Sequence, residues 1–249
     1  MAPLRSVQRI PWPNVQRHLA ANWKPGQCVT IVGPRGTGKT HICLELAELT
    51  DHVLLLATKR KDPLIQDLER DGYKVTGDLN DLLWTHDDDK NRMRPVHPKI
   101  VFWPRFPDSY DEKTRLTMQA KAMREAMGWA DKTGNWSVII DETMWMTESL
   151  KLEQELKALW FQGRTQGISV IANAQRPTHV PRLAFSSADY LFLAKTSDRR
   201  DVINLREIST TIPAKMIEEG LQQLDKTKHE FLFVDANNDA VGIVVAPPR

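Results

Sequence analysis

With 249 residues, 41% apolar and 27% charged positions and a formal net charge of +2, the chain has the size for one α/β domain with a small appendage and a sizeable core. That near-neutral balance does not point to a nucleic-acid partner, although a local basic surface is compatible with it. No stretch nears the ~20 consecutive apolar residues that span a bilayer. Met1 to Pro13 carries Arg5 and Arg9 without an apolar segment, so neither a membrane span nor a secretory signal is expected, and a cytoplasmic location follows.

In chain order, 1–24 reads as an N-terminal extension, 25–210 as the core, and 211–249 as a C-terminal helix and β-hairpin packed on that core. The apolar runs Cys28–Val32, Val53–Ala57, Ile100–Trp103, Ser137–Ile140, Ser169–Ala172 and Tyr190–Ala194 read as strands buried on both faces. Helices are expected at Thr40–Leu49, Glu112–Lys132 and Leu150–Phe161, the middle one carrying Leu116, Ala120, Met123 and Met127 at helical spacing. Such alternation argues for a three-layer α/β fold with right-handed crossovers. Thr85 to Pro98, with Asp87-Asp88-Asp89, Arg92 and Arg94, reads as an exposed loop whose acidic run is solvated rather than metal-binding. Ile212–Leu224 reads as a helix, then Glu230–Val234 and Val241–Ala246 as a hairpin, with a frayed tail at Pro247-Pro248-Arg249. Cys28 and Cys43 belong to no CxxC or Cys/His cluster and read as reduced, packed thiols.

Gly33-Pro34-Arg35-Gly36-Thr37-Gly38-Lys39-Thr40 matches GxxxxGK[ST] without a gap, between a strand and a helix that continues with His41. The glycines let successive backbone N–H groups turn inward around an anion, and the helix N-terminus adds its positive dipole end. Residues Gly33 to His41 are therefore expected to hold ATP, with Lys39 on the β- and γ-phosphates and the Thr40 hydroxyl on Mg²⁺. Asp141 leaves the strand Ser137–Ile140 at the sheet edge that faces the same crevice, and is expected to hold Mg²⁺ through water. Glu142, its neighbour, is placed to orient and deprotonate the attacking water.

An Asp-Glu pair after a strand, together with this cradle, resembles the additional-strand, catalytic-glutamate (RecA-like) division of P-loop NTPases. The resemblance covers 25–200 and implies a mainly parallel sheet with an extra strand between the phosphate-loop strand and the Asp141 strand. Ser169–Ala172 would be that strand. Ile171-Ala172-Asn173-Ala174-Gln175-Arg176-Pro177 is similar to the strand-end glutamine motif of HerA/FtsK-like DNA translocases. His179-Val180-Pro181-Arg182 and Ala188-Asp189-Tyr190 look like the same stretch of phage genome-packaging ATPases. The resemblance implies Gln175 as γ-phosphate sensor, with Asn173 competing, and Arg164 in Gly163-Arg164-Thr165-Gln166-Gly167 as a finger acting on a neighbour's phosphate. Arg199 and Arg200 are weaker fingers, and an ordinary helix-end arginine remains an alternative for Arg164. A finger of that kind implies a closed homo-oligomeric ring.

Lys59, Arg60 and Lys61, after the second strand, are the candidate DNA phosphate contacts, with a salt-bridged loop as the alternative. Arg92, Arg94 and Lys99 form a second, weaker cluster. Trp84, Trp103 and Trp129 could stack on bases, but core or interface packing is preferred. From Lys195 to Arg249 there is no carboxylate cluster suited to two-metal nuclease chemistry, so a bare packaging-type ATPase is expected rather than a large terminase. The expectation is an ATP-driven double-stranded DNA translocase that packages a phage or mobile-element genome, with a portal or capsid protein as partner and a host cytoplasm as location. A helicase, loader or recombination ATPase preferring single strands, and a secretion or assembly ATPase, are the alternatives. A nucleotide-gated switch has less need of Glu142.

Overall fold

Strands that are apolar along their whole length have to be covered on both faces, and one large sheet with helices on either side does this. The computed structural model describes residues 7–87, 92–196, 198–206 and 212–247. In chain order its elements are α1 (Trp12–Asn22), β1 (Cys28–Val32), α2 (Lys39–Ala47), β2 (Val53–Leu56), α3 (Pro63–Arg70), β3 (Lys74–Thr76), β4 (Trp84–Asp87), β5 (Arg92–Pro95) and β6 (Lys99–Phe102). Then follow α4 (Glu112–Thr133), β7 (Ser137–Ile140), α5 (Glu153–Gln162), β8 (Ser169–Ala174), α6 (Arg182–Ser186), β9 (Tyr190–Ala194), α7 (Arg199–Arg206), α8 (Ala214–Gln223), β10 (Glu230–Asp235) and β11 (Ala240–Val245).

The main sheet has nine strands in the order β11-β10-β9-β1-β8-β7-β2-β6-β3. From β9 to β3 every pairing is parallel, whereas β10 joins β9 and β11 antiparallel. β8 lies between β1 and β7, the position expected of the extra strand.

Alternate residues of each strand serve opposite faces. Val29 and Ile31 of β1, Ile139 of β7 and Ile171 of β8 pack with Leu19 of α1, Ile42 and Leu46 of α2, and Ile65 and Leu68 of α3. Val32, Val138, Ile140, Val170 and Ala172 face the other layer, with Met123 of α4, Leu156 of α5, Ala184 of α6 and Ile217 and Leu221 of α8. The result is the expected three-layer α/β fold with a C-terminal helix and hairpin.

Several expectations change. Residues 7–24 do not stand apart from the core. Val15 and Leu19 of α1 are buried, Trp12 packs on Phe192 with ring centroids 6.2 Å apart, and Trp23 stacks on Tyr190 at 6.4 Å. Just before α1 the chain runs beside β11, Ile10 N donating to Ile243 O at 2.7 Å and Ile243 N to Gln8 O at 2.8 Å. Burial of each such apolar side chain contributes ~1.5–3 kcal/mol. The C-terminal hairpin is likewise a continuation of the sheet. Thr85 to Pro98 is not wholly a loop, because Trp84–Asp87 and Arg92–Pro95 pair as an antiparallel ribbon. Asp88 and Asp89 of the acidic run, and Pro248 and Arg249 of the tail, lie outside the described residues. The ribbon is anchored by Trp84 against Trp129 at 5.6 Å, and Trp129 meets the buried Trp136 at 4.8 Å. The preferred packing role holds for those two tryptophans.

Candidate nucleotide-binding site

β1 and β8 run parallel, so the loops after them open at one edge of the sheet. The segment from Gly33 to Gly38 follows β1 and leads directly into α2. Gly36 and Gly38 have φ values of 77° and 93°, the left-handed region where a side chain is strained. A Cβ on Gly38 would also stand 2.7 Å from Ala246 Cβ, and His41 Nδ1 lies 3.1 Å from Pro247 O. The C-terminal segment after β11 therefore braces the start of α2, a contact that no local signal announces.

Lys39 Nζ donates to Gly33 O at 2.7 Å and Pro34 O at 2.9 Å, so its ammonium sits over the loop. Burial lowers its pKa, and the fields of Glu142 and Asp141 oppose that shift. Lys39 and the acidic pair thus converge on one place although about a hundred residues separate them in the chain.

Asp141 follows β7 and is mostly buried, its side chain 11% exposed. Burial raises its pKa, against the opposing field of Lys59. Lys59 Nζ lies 3.1 Å from Asp141 Oδ2 and 2.9 Å from Asp62 Oδ2. The three basic residues expected at a DNA contact are all exposed, but Lys59 turns its ammonium toward Asp141. Glu142 Oε2 accepts from Gln175 Nε2 at 2.6 Å, while its Oε1 is buried with no hydrogen-bond partner among the described residues. Thr143, the next residue, is buried and donates from Oγ1 to Asn173 O at 2.9 Å, tying the β7 and β8 ends together. Asn173 Oδ1 is also buried with no hydrogen-bond partner among the described residues.

A cleft of about 310 Å³ opens here, lined by Gly33, Pro34, Arg35, Gln175, Arg176 and Lys195 among others. Its far wall is held by Arg176, which pairs with Asp198 and, at 3.2 Å, with Asp201. No local signal in the chain announces this pairing.

Arg164 is not brought to this edge. It precedes β8, and its Nη2 lies 3.4 Å from Asp189 Oδ1, whose other oxygen accepts from Cys28 N at the start of β1. That is the opposite edge of the same strands. Arg200 is exposed near Arg176, and the side chain of Arg199 is outside the described residues, as are those of Arg92 and Arg94. Lys99 pairs with Glu48 at 2.6 Å. Trp103 donates from Nε1 to Lys59 O at 2.7 Å. Cys28 and Cys43 are buried and reduced, their thiols pushed up to about 12 by burial.

The residue types suit a magnesium-bound triphosphate: a glycine turn ahead of α2, the Lys39 ammonium over that turn, Thr40 in the first turn of α2 as a hydroxyl donor, and the Asp141 carboxylate. Among the described residues no group of three or more His, Cys, Asp or Glu could hold a metal by itself. Among the described residues no helix is long and apolar enough to cross a membrane.

No protein-family model matches the chain. The chain is homologous to the DNA packaging ATPase P9 of Enterobacteria phage PRD1, with 26% identity over 179 residues. That alignment covers 70% of this chain and 66% of P9, slightly under two thirds of the relative's length. In fold it matches the genome packaging NTPase B204 of Sulfolobus turreted icosahedral virus 2, solved with AMPPCP, at a TM-score of 0.63 and 15% identity, over 90% of this chain and 100% of that one. It also matches ATPases 2 and 3 of Thermomonospora curvata EccC, solved with a signal sequence peptide, at a TM-score of 0.54 and 12% identity, over 90% of this chain and 38% of that one. The chain has a P-loop NTPase fold.

Proposed function

We propose that this chain is an ATP-hydrolysing motor that moves double-stranded DNA during packaging of a viral or mobile-element genome. The observation that carries the proposal is the convergence of Lys39, Asp141, Glu142 and Gln175 at one sheet edge, in a chain homologous to a DNA packaging ATPase.

In this reading Gly33 to His41 bind the phosphates of ATP, and Thr40 and Asp141 hold the Mg²⁺ that offsets their charge. Glu142 accepts the proton of the attacking water at Oε1, the oxygen that Gln175 leaves open. Gln175, at the end of the extra strand, holds Oε2 and lies where loss of the γ-phosphate would be felt first. Such a site works by positioning and electrostatic stabilisation rather than covalent chemistry.

Arg164 is the proposed finger. It lies at the edge opposite its own phosphate loop and its side chain is 68% exposed, so it could serve only a neighbouring copy. That requires a homo-oligomeric ring, with a portal or capsid protein as the partner that holds it at the entrance. Arg60 and Lys61 are exposed near the site and are the proposed phosphate contacts for DNA.

The test is ATP hydrolysis with Mg²⁺ by the assembled protein, compared without DNA, with single strands and with double strands. Stimulation by double strands supports the proposal. Preference for single strands would indicate a helicase or loader, and activity indifferent to DNA would indicate a motor for another polymer.

A further inference from the structure

Lys59 is the one cation that reaches Asp141 through a salt bridge among the described residues. Its ammonium lies 3.1 Å from Asp141 Oδ2 and 3.5 Å from Oδ1, and 2.9 Å from Asp62 Oδ2. The two acceptors differ in what they are free to do. Asp141 is the carboxylate that the proposed Mg²⁺ would need. Asp62 is fixed as the N-cap of α3, accepting from Leu64 N at 3.1 Å.

We propose that Lys59 is an internal counter-ion that the metal end of the nucleotide displaces from Asp141, and that this displacement adds the Lys59 charge to that of Arg60 and Lys61 for contact with DNA. The inference rests on the functional reading above and deepens it by naming the element that links nucleotide to polymer.

Three features support it. First, the Lys59 ammonium lies against both oxygens of Asp141, which the water shell of a bound divalent ion would use as acceptors, and it repels that ion, so metal binding at Asp141 favours moving the Lys59 side chain. Second, the ammonium has a place to go. Asp62 accepts it already, and the side chain is 52% exposed, so rotation about its stem brings it out beside Arg60 and Lys61. Third, the backbone around it is anchored by hydrogen bonds, whereas the side chain is held only by its two ion pairs. Lys59 O accepts from Trp103 Nε1 at 2.7 Å, and Thr58 O accepts from Gln119 Nε2 at 3.0 Å. Gln119 Oε1 in turn accepts from Trp145 Nε1 at 3.1 Å, and Trp145 stands in the turn that follows Glu142. The turn is therefore tied to the same segment that carries the acidic pair. Arg60 and Lys61 are exposed and make no ion pair among the described residues, so they are available to phosphates.

The experiment uses the full chain and a fluorescent non-hydrolysable ATP analogue. The Mg²⁺ concentration for half-maximal analogue binding is measured for the wild type, Lys59→Met and Asp62→Asn. Affinity for a double-stranded oligonucleotide is measured with and without the Mg²⁺-analogue. Lys59→Met removes the competing cation and should lower the Mg²⁺ requirement several-fold. Asp62→Asn keeps the α3 cap but weakens the second acceptor, and should raise the requirement. DNA affinity should rise several-fold with the Mg²⁺-analogue in the wild type, and this difference should vanish in Lys59→Met. An unchanged or higher Mg²⁺ requirement in Lys59→Met, with an unchanged requirement in Asp62→Asn, would make Lys59 a structural tie and overturn the proposal. A shifted Mg²⁺ requirement with no DNA binding in any state would overturn the coupling and the DNA reading, and leave the counter-ion. Failure of the wild type to bind the analogue would sink the nucleotide reading itself.

Discussion

Gln175 Nε2 donates to Glu142 Oε2 at 2.6 Å, and the other oxygen of the same carboxylate is buried without a hydrogen-bond partner among the described residues. A buried acceptor with no donor is costly, so a water held there would be both bound and oriented. The pair thus gives Glu142 one restrained oxygen and one for chemistry.

Glu142→Gln should keep ATP affinity while hydrolysis falls by ~10²–10⁴-fold, the usual worth of a positioned base. Analogue titration and single-turnover hydrolysis together check this. Normal turnover in the variant would remove Glu142 from the base role. Lys39→Ala differs in kind, because it should lose binding as well.

Arg164 pairs with Asp189 at the strand edge away from the cradle. Arg164→Ala should therefore abolish turnover while leaving ATP affinity within about two-fold, the mark of a group that acts mainly in the transition state. Mixing it with Glu142→Gln should restore activity, since each ring then contains sites with an intact base facing a neighbour's intact arginine. Mixed rings no more active than either variant would confine Arg164 to its bond with Asp189.

Leu19 is buried among residues of the sheet's α1–α3 face. Leu19→Ala should cost ~2–5 kcal/mol in urea unfolding, as a core truncation does. A change below ~0.5 kcal/mol would mean that the N-terminal helix is a dispensable appendage.

Glu230 begins β10 and receives Arg9 Nε at 2.9 Å and Asp225 N at 2.7 Å. Burial pushes the carboxyl pKa up, but these hydrogen bonds outweigh it and hold the value below normal. A depressed acid favours the folded state fully above its unfolded pKa of about 4.3, and that contribution fades as pH falls through the folded value. The gap in Tm between the wild type and Arg9→Met should thus be largest at neutral pH and shrink toward pH ~3. A gap independent of pH would exclude the ion pair as its origin.

Much of this was legible because the signals are local. Cys28–Val32 with the following glycines, the strand ending at Asp141, and Tyr190–Ala194 are short apolar runs next to turn residues, and each formed as read. α3 was not among the expected helices, although Asp62 as cap and Pro63 in its first turn are signals of the same local kind. α1 was harder: it has no side-chain cap, and only Val15 and Leu19 are fully buried. β3 is a three-residue edge strand, too short for its period to stand out. The ribbon of β4 and β5 is dense in charge and proline, which suggests loop more than strand. What the sequence could not carry was pairing at a distance. Lys59 meets Asp141 82 positions away, and Arg9 meets Glu230 221 positions away. Until topology closes those gaps, the residues are simply surface charges.

The most direct test of the account is steady-state ATP hydrolysis by the assembled wild type and Glu142→Gln, with Mg²⁺ and increasing double-stranded DNA. The account predicts that hydrolysis rises with DNA in the wild type and stays near zero in the variant at every DNA concentration. Hydrolysis that ignores both the DNA and the loss of Glu142 would contradict it.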